Sequence, residues 1–167
     1  AMRREPVAME AIVREVVADR VSPQGPLQWD IGPLPPCVGD PVLLRRVWLE
    51  LIDNAVRHSR GCEHPIIRIA GETLGEGGLA RYRVADSGDG FDAFAATRLF
   101  RPLQRCHPAG ERDAGVGMGL SIARRIVLRH GGTVHASGET GAGAIFSFTI
   151  PTGVVFPACD AERTCRP

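Results

Sequence analysis

Three polar clusters in the sequence have the residue types and spacing that nucleotide chemistry requires. In the first cluster, at 50–59, Glu50, Asn54, Arg57 and His58 stand three or four positions apart. On a helix this spacing places the four side chains on one face. The carboxamide oxygen of Asn54 suits Mg²⁺, which takes few protein ligands and keeps several waters, and Arg57 or His58 would reach phosphate oxygens. An ordinary polar helix face has the same composition, so this cluster alone does not decide the function.

The second cluster is Asp86-Ser87-Gly88-Asp89-Gly90, at the end of a predicted strand. A carboxylate at Asp86 can accept a hydrogen bond from an exocyclic amine such as N6 of adenine. Glycine at 88 and 90 lets the backbone turn tightly and approach a flat ring. A glycine-rich turn without a ligand would have the same sequence, so this motif is also weak by itself.

The third cluster is Gly115-Val116-Gly117-Met118-Gly119-Leu120-Ser121, directly before a predicted helix. Backbone N–H groups at the start of a helix have no intrahelical partner and bind anions such as phosphate. The glycines do not form a dinucleotide-binding fingerprint, because no strand precedes them and no βαβ unit surrounds them. They do not form a Walker loop either, since the Gly-Lys-Ser/Thr ending is missing.

Helices and hairpins must position these clusters. Apolar periodicity predicts helices at 7–20, 41–59 and 119–130, with Pro6 at the start of the first and Asp40 and Pro41 as N-cap and first residue of the second. Strands are predicted at 27–31, 65–71, 79–86, 133–138 and 144–150. Their order predicts a mixed, mainly antiparallel sheet. Residues 91–118 are predicted to form a long loop containing a short helix, and 152–167 a loose tail after a domain at 1–151.

The composition excludes several classes of protein. The chain has 167 residues, the size of one domain, and a net charge of +1 that demands no nucleic-acid partner. It has no apolar run long enough to cross a bilayer and no signal-peptide pattern after Met2. We therefore expect a cytoplasmic domain without direct membrane contact. The five cysteines are widely spaced and predict free thiols. Lysine is absent and Asn54 is the single asparagine, a skew typical of high-GC genomes.

Taken in order, the three clusters resemble the N, G1 and G2 boxes of the GHKL ATP-binding superfamily. The segment 99–105 (LFRPLQR) resembles the F box of sensor histidine kinases, and the segments 130–132 and 141–151 are also similar to that family. The resemblance covers about residues 5–151. It implies an α/β two-layer sandwich of the Bergerat type, with a five-stranded sheet, about three helices and a long ATP lid. The Gln104-Arg105 ending is similar to that of kinases linked to bacterial phytochromes.

The resemblance also implies roles for individual residues. Asn54 would hold Mg²⁺, Asp86 would accept from adenine N6, and Arg105 would lie near the γ-phosphate. Arg57 and His58 would contact phosphates, and Thr149 would touch the adenine pocket. The remaining implied nucleotide contacts are Gly88, Gly90, Phe91, Gly115, Val116, Gly117, Met118, Gly119 and Leu120.

Two positions depart from the family pattern: Glu50 stands where histidine kinases often have Asn, and Leu103 where the F box often has Phe. Glu50 matters more, because hydrolytic members of the superfamily use Glu there as general base. An ATP hydrolase is therefore one alternative, and a nucleotide-binding or partner-binding module without turnover is another. The hydrolytic members usually also need a lysine from a following domain, and this chain contains none.

The phosphoacceptor histidine is expected on a separate dimerisation domain of the same parent protein. None of the five histidines precedes the acidic residue and Arg-Thr-Pro pattern typical of that site. His58 lies in the N box, and His130 ends a helix, where a cation would complement the helix dipole. We expect the isolated domain to be monomeric, to bind ATP without phosphorylating itself, and to reach a response regulator only through the full-length kinase.

Overall fold

Two sheets and three helices make up the part of the chain that the computed structural model describes, residues 2–21, 25–75, 78–92, 98–100 and 118–153. The helices are α1 (Met9–Ala18), α2 (Pro41–Ser59) and α3 (Gly119–Arg129). The strands are β1 (Glu5–Val7), β2 (Gln28–Ile31), β3 (Cys37–Gly39), β4 (Ile66–Leu74), β5 (Leu79–Asp86), β6 (Val134–Glu139) and β7 (Gly143–Pro151).

The main sheet has five strands in the order β2-β4-β5-β7-β6. Only β2 and β4 pair in parallel, and the other neighbours are antiparallel. The helices cover one face of this sheet, which confirms the predicted two-layer sandwich with a mixed, mainly antiparallel sheet. None of the helices among the described residues has the length and apolar character needed to cross a bilayer.

Helix α2 lies at the centre of the helical layer, and its bounds are those predicted. The Asp40 side chain accepts hydrogen bonds from the backbone N–H groups of Val42 and Leu43, and Pro41 occupies the first turn. The fully buried Trp48 packs edge-on against Tyr82 and Phe148 of the sheet, with ring centroids 5.8 and 5.2 Å away. These contacts fix the helix against the two central strands.

Alternation along β5 and β7 determines which residues face the helices. The buried residues of β5 are Ala80, Tyr82, Val84 and Asp86, and those of β7 include Phe146, Phe148 and Ile150. The residues between them, such as Arg81, Ser147 and Thr149, lie on the open face. Asp86 is therefore the last residue of β5 on the helix side of the sheet.

The N-terminal prediction was wrong in part. The sequence predicted one helix over 7–20, whereas Glu5–Val7 form strand β1 and the helix spans Met9–Ala18. Strand β1 pairs antiparallel with β3, which was not predicted. Because the residues of these three-residue strands pair with partners 30 to 34 positions away, local periodicity gives no sign of them. The predicted loop over 91–118 lies mostly outside the described residues.

Candidate functional site

Asp86 forms the buried polar centre of the site. Its side chain shares the helix-facing side of the sheet with Ala144, its register partner on β7, and the residue is 7% exposed. Oδ1 accepts a hydrogen bond from the backbone N–H of Gly88 at 2.9 Å. Oδ2 is buried and has no hydrogen-bond partner among the residues described. A buried acceptor without a donor costs free energy, so this oxygen marks a place where a ligand N–H can bind.

Burial raises the pKa of Asp86 from 3.8 to about 6. Hydrogen bonds from the backbone N–H groups of Gly88 and Ala144 oppose that rise, and the nearby Asp89 carboxylate adds to it. At neutral pH the group is still ionised. It therefore presents a charged acceptor to any amine that enters the pocket.

Gly88 and Gly90 allow the turn after β5 to pack closely on its neighbours. A Cβ at Gly88 would collide with the carbonyl oxygen of His58, at the end of α2. Gly90 has a φ of +64°, and a Cβ there would collide with the carbonyl of Glu139 and lie 2.7 Å from that of Gly143. The turn after β5 is thus held between the end of α2 and the β6–β7 hairpin.

Asn54 lies on the ridge of α2 that leads from Glu50 to His58, with an intermediate degree of burial. Arg57, one turn beyond Asn54, is exposed, and His58 is half-buried beside the turn after β5. The four residues of the first cluster therefore share one side of α2, as predicted. A carboxamide oxygen is a suitable ligand for a hydrated divalent cation.

Glu50 connects α2 to the start of α3. Its carboxylate forms an ion pair with Arg46, and the Glu50 side chain is only 16% exposed. The position that a Cβ on Gly119 would take is already filled by Glu50 Oε2. The first turn of α3 therefore lies directly against the first cluster, and a Cβ at 119 would require the Glu50 carboxylate to move. Met118 beside it is 43% exposed, and Leu120 is partly buried against the core.

Phe91 directly follows the turn after β5 and adds an aromatic ring to this end of the site. Its ring is 7% exposed and packs on Phe146, with centroids 5.9 Å apart. Gly138 lies against the same ring, since a Cβ there would come within 3.1 Å of it. Phe100 also reaches Phe146, edge-on at 6.4 Å. These aromatic contacts form an apolar wall next to the turn that carries Asp86.

The structure does not bring Thr149 to this site. Its register partner on β5 is Arg81, which faces the open side of the sheet, away from Asp86. The Thr149 hydroxyl instead lies 3.0 Å from that of Thr133. Four predicted residues, Arg105, Gly115, Val116 and Gly117, lie outside the described residues.

Two residues that the sequence analysis did not single out also shape the site. Ala144 is the register partner of Asp86 on β7, and its backbone N–H lowers the pKa of that carboxyl. Gly143, with a φ of +89°, lets β7 approach the carbonyl of Asp86. Strand alternation could have identified Ala144, because it stands two positions before Phe146 and so shares its buried face.

The comparisons with known proteins point to one family. A family model described as "Histidine kinase-, DNA gyrase B-, and HSP90-like ATPase" matches residues 39–154. The adaptive-response sensory kinase SasA of Parasynechococcus marenigrum (strain WH8102) is 34% identical over 118 residues, which cover 71% of this chain and 30% of that protein. Cyanobacterial phytochrome A of Nostoc sp. (strain PCC 7120) is 37% identical over 121 residues, which cover 72% of this chain and 15% of that protein. The chain thus spans less than a third of either relative.

Solved structures support the same fold. Full-length ShkA, solved in complex with AMPPNP, superposes with a TM-score of 0.73 at 30% identity, covering 90% of this chain and 31% of that one. The mycobacterial sensor histidine kinase MprB gives a TM-score of 0.76 at 22% identity, covering 89% of this chain and 97% of that one. At that identity, the likeness to MprB concerns the fold alone.

Proposed function

Because the chain belongs to the histidine kinase-, DNA gyrase B- and HSP90-like ATPase family, we propose that it binds ATP with Mg²⁺ and supplies the γ-phosphoryl group to a histidine on a separate dimerisation domain. The observation that carries this proposal is the buried Oδ2 of Asp86, which has no partner among the described residues. An oxygen in this state fits the exocyclic amine of adenine. Membership of the family agrees with the resemblance of the ordered boxes.

The adenine end of the pocket is formed by the turn after β5. Asp86 accepts the N6 amine, while Gly88 and Gly90 let the turn that follows it pack against the end of α2 and the β6–β7 hairpin. The ring of Phe91 supplies an apolar wall on the side of the β6–β7 hairpin. A site built to hydrogen-bond an amine rejects a base that lacks it, because Asp86 would then stay buried without a donor.

The phosphate end lies between α2 and the start of α3. Met118, Gly119 and Leu120 offer backbone N–H groups that have no partner within the helix, and Gly119 allows close approach. Arg57 and His58 add donors from α2. We place Gly115, Val116, Gly117 and Arg105 on this same side, from the family resemblance.

Phosphoryl transfer depends mainly on positioning and charge stabilisation. Asn54 is the residue that would hold Mg²⁺, which would offset the negative charge of the phosphates. Arg105 would contact the γ-phosphoryl group, where negative charge accumulates. Residues 91–118 would close over the nucleotide and exclude water.

Hydrolysis with Glu50 as general base is the competing function. A base must be free to take a proton from water, but the Glu50 carboxylate is paired with Arg46 and packed against Gly119. This arrangement favours a role in holding α3 over a role in activating water. We therefore prefer transfer to histidine.

The acceptor belongs to another domain of the parent protein in this proposal, and the response regulator is reached through the full-length kinase. We also propose a cytoplasmic location for the domain. Relatives with phytochrome names and relatives without them match at similar identity, 37% and 34%. The phytochrome-linked subtype therefore stays a prediction.

Incubation with γ-labelled ATP tests whether nucleotide binding and the phosphoacceptor histidine belong to separate domains. The chain alone is expected to bind the nucleotide and to remain unlabelled after denaturation. Adding the dimerisation domain of the parent protein is expected to give an acid-labile label on that domain. Acid-labile label on the present chain itself would contradict the proposal of a separate acceptor.

A further inference from the structure

His130 is a buried polar residue that the proposed chemistry does not use. It follows the last residue of α3 and is 2% exposed. Nδ1 of its ring lies 2.8 Å from the carbonyl oxygen of Ile126, one turn earlier in the same helix. Nε2 lies 3.0 Å from the backbone nitrogen of Asp40, at the start of α2. The ring thus joins the end of one helix to the beginning of another.

The two hydrogen bonds determine the tautomer of His130. The backbone N–H of Asp40 can only donate, so Nε2 must accept and carries no proton. The proton is therefore inferred to lie on Nδ1, which donates to the Ile126 carbonyl. The ring is neutral in this arrangement, and the sequence-based expectation of a cation at the helix end was wrong.

Both carboxylate oxygens and the backbone N–H of Asp40 form hydrogen bonds around this contact. Its Oδ1 accepts from Val42 and Leu43 and caps α2, while its Oδ2 accepts from the backbone N–H of Arg3 at 3.0 Å. The bond from Arg3 is the main reason that the pKa of Asp40 is lowered. His130 Nε2 accepts the hydrogen bond from the backbone N–H of Asp40. Gly39 leaves room for the ring, since a Cβ there would lie 2.8 Å from His130 Cδ2.

The same two helices touch again at the nucleotide end. Glu50 of α2 lies against Gly119, the first residue of α3. Ten positions separate Asp40 from Glu50 and eleven separate Gly119 from His130, which corresponds to roughly 15 and 16 Å of helix. The helices are therefore antiparallel, with one contact at each end of the overlap. The apolar residues between these contacts, Ala123, Ile126 and Val127, pack without directional bonds.

We propose that His130 is a positioning residue for the nucleotide site: its bond to Asp40 fixes the angle of α3 against α2 and so places the first turn of α3 beside Glu50. Without that bond, α3 tilts about the contact between Glu50 and Gly119, and the N–H groups at its start leave their alignment. The inference rests on the proposed nucleotide site for its functional consequence, but not for its structural part.

Three substitutions of His130 separate the two bonds. His130→Asn keeps a donor near the Ile126 carbonyl but does not reach Asp40, and His130→Ala keeps neither bond. His130→Gln extends a carbonyl oxygen to the depth of Nε2 and can still accept from Asp40. Val127→Ala is the matched control, because it removes buried apolar volume from the same helix without touching a polar contact.

Each variant is measured by thermal unfolding, by hydrogen exchange at Ile122, whose N–H bonds to Met118 in the first turn of α3, and by titration with a non-hydrolysable ATP analogue and Mg²⁺. The Asn and Ala variants are expected to speed exchange at Ile122 and to weaken nucleotide binding, each about tenfold. The Gln variant is expected to restore both to within about threefold. The Val127→Ala control is expected to lower the midpoint of unfolding but to leave exchange at Ile122 and affinity near wild type.

Equal effects of His130→Asn and Val127→Ala on exchange and affinity, at equal loss of stability, would overturn the proposal. So would failure of the Gln variant to rescue either quantity. A wild-type protein that does not bind the analogue would overturn the proposed function instead. The exchange data would then still decide whether His130 positions the start of α3.

Discussion

Gly88 donates its backbone N–H to Oδ1 of Asp86 at 2.9 Å, and Oδ2 of the same carboxylate remains buried without a partner in the described part of the chain. One half of the carboxylate is thus held in place and the other half is left for a ligand. The arrangement costs stability in the free protein and favours the bound state. The first two predictions follow from this division.

Asp86→Asn is expected to change stability and affinity in opposite directions. At pH 8 the free protein should gain about 1 kcal/mol in free energy of unfolding, because a buried charge is removed. Affinity for adenine nucleotides should fall about 10- to 100-fold, since the charged acceptor for N6 is lost. Denaturant unfolding and calorimetry measure the two quantities.

Asp89→Asn is the matched control, three positions along and exposed. It should change the free energy of unfolding by less than about 0.5 kcal/mol and leave the affinity near wild type. If Asp89→Asn weakens binding as much as Asp86→Asn does, the assignment of Asp86 as the N6 acceptor is wrong.

Nucleotide affinity should depend on pH through Asp86. Its pKa is raised to about 6, and the ionised carboxylate is the stronger acceptor for the amine of adenine. Affinity should therefore fall about tenfold between pH 7 and pH 5 relative to Asp86→Asn, which shares the titration of the ATP phosphates but not that of the carboxyl. Parallel titrations of the two proteins test this difference, and identical pH profiles would contradict it.

The stability of the free protein should respond to pH in the opposite sense. Folding raises the pKa of Asp86 above its ordinary value of 3.8 and so favours its protonated form. The stabilisation from that form is complete below about pH 4 and is lost as the pH rises through about 6. The wild type should therefore lose stability relative to Asp86→Asn over this interval, as followed by thermal unfolding.

Glu50→Gln should separate kinase from hydrolase. If Glu50 mainly holds α3 through its contact with Gly119, the substitution leaves the slow release of phosphate from ATP within about twofold of wild type. Loss of a general base would instead lower the release rate by about 10²- to 10⁴-fold. A phosphate-release assay distinguishes the two results, and Asp53→Asn on the exposed side of the same helix is the control.

Gly90→Ala should destabilise the turn after β5. Its φ of +64° disfavours any other residue, and the added Cβ would collide with the carbonyl of Glu139, so a loss of about 2–4 kcal/mol is expected. Gly75→Ala is the matched control, because φ is +45° there but nothing lies within 4 Å of the added Cβ. It should cost only about 1 kcal/mol. Equal losses of stability would show that the turn is not confined by the β6–β7 hairpin.

Elements with local signals were predicted well from the sequence. The N-cap at Asp40, the proline at 41 and the apolar periodicity of the helix all act within a few residues, and the predicted bounds of α2 match the structure. Strand β5 was also predicted with its observed bounds, since its alternation is regular. By contrast, the pairing of β1 with β3 depends on distant residues, and Pro6 was interpreted as a helix start when it lies in a strand.

The sequence predicted the residues of the site less accurately than the elements of the fold. Strand alternation already separates Thr149 from the buried Phe146, Phe148 and Ile150, so its place on the open face was predictable from parity. The same alternation places Ala144 on the buried face with these three residues, but it was not predicted as a site residue. The unpartnered oxygen of Asp86 and the bond between His130 and Asp40 could not be predicted, because both depend on how distant elements pack.

Titration calorimetry with a non-hydrolysable ATP analogue, with and without Mg²⁺, tests the central claim most directly. The wild type is expected to bind the analogue and to bind it more tightly with Mg²⁺. Asn54→Ala should abolish most of the Mg²⁺-dependent gain, about tenfold, while Asp53→Ala, adjacent but on the exposed side of α2, should retain it. Absence of binding by the wild type, or a Mg²⁺ effect that survives Asn54→Ala unchanged, would contradict the account.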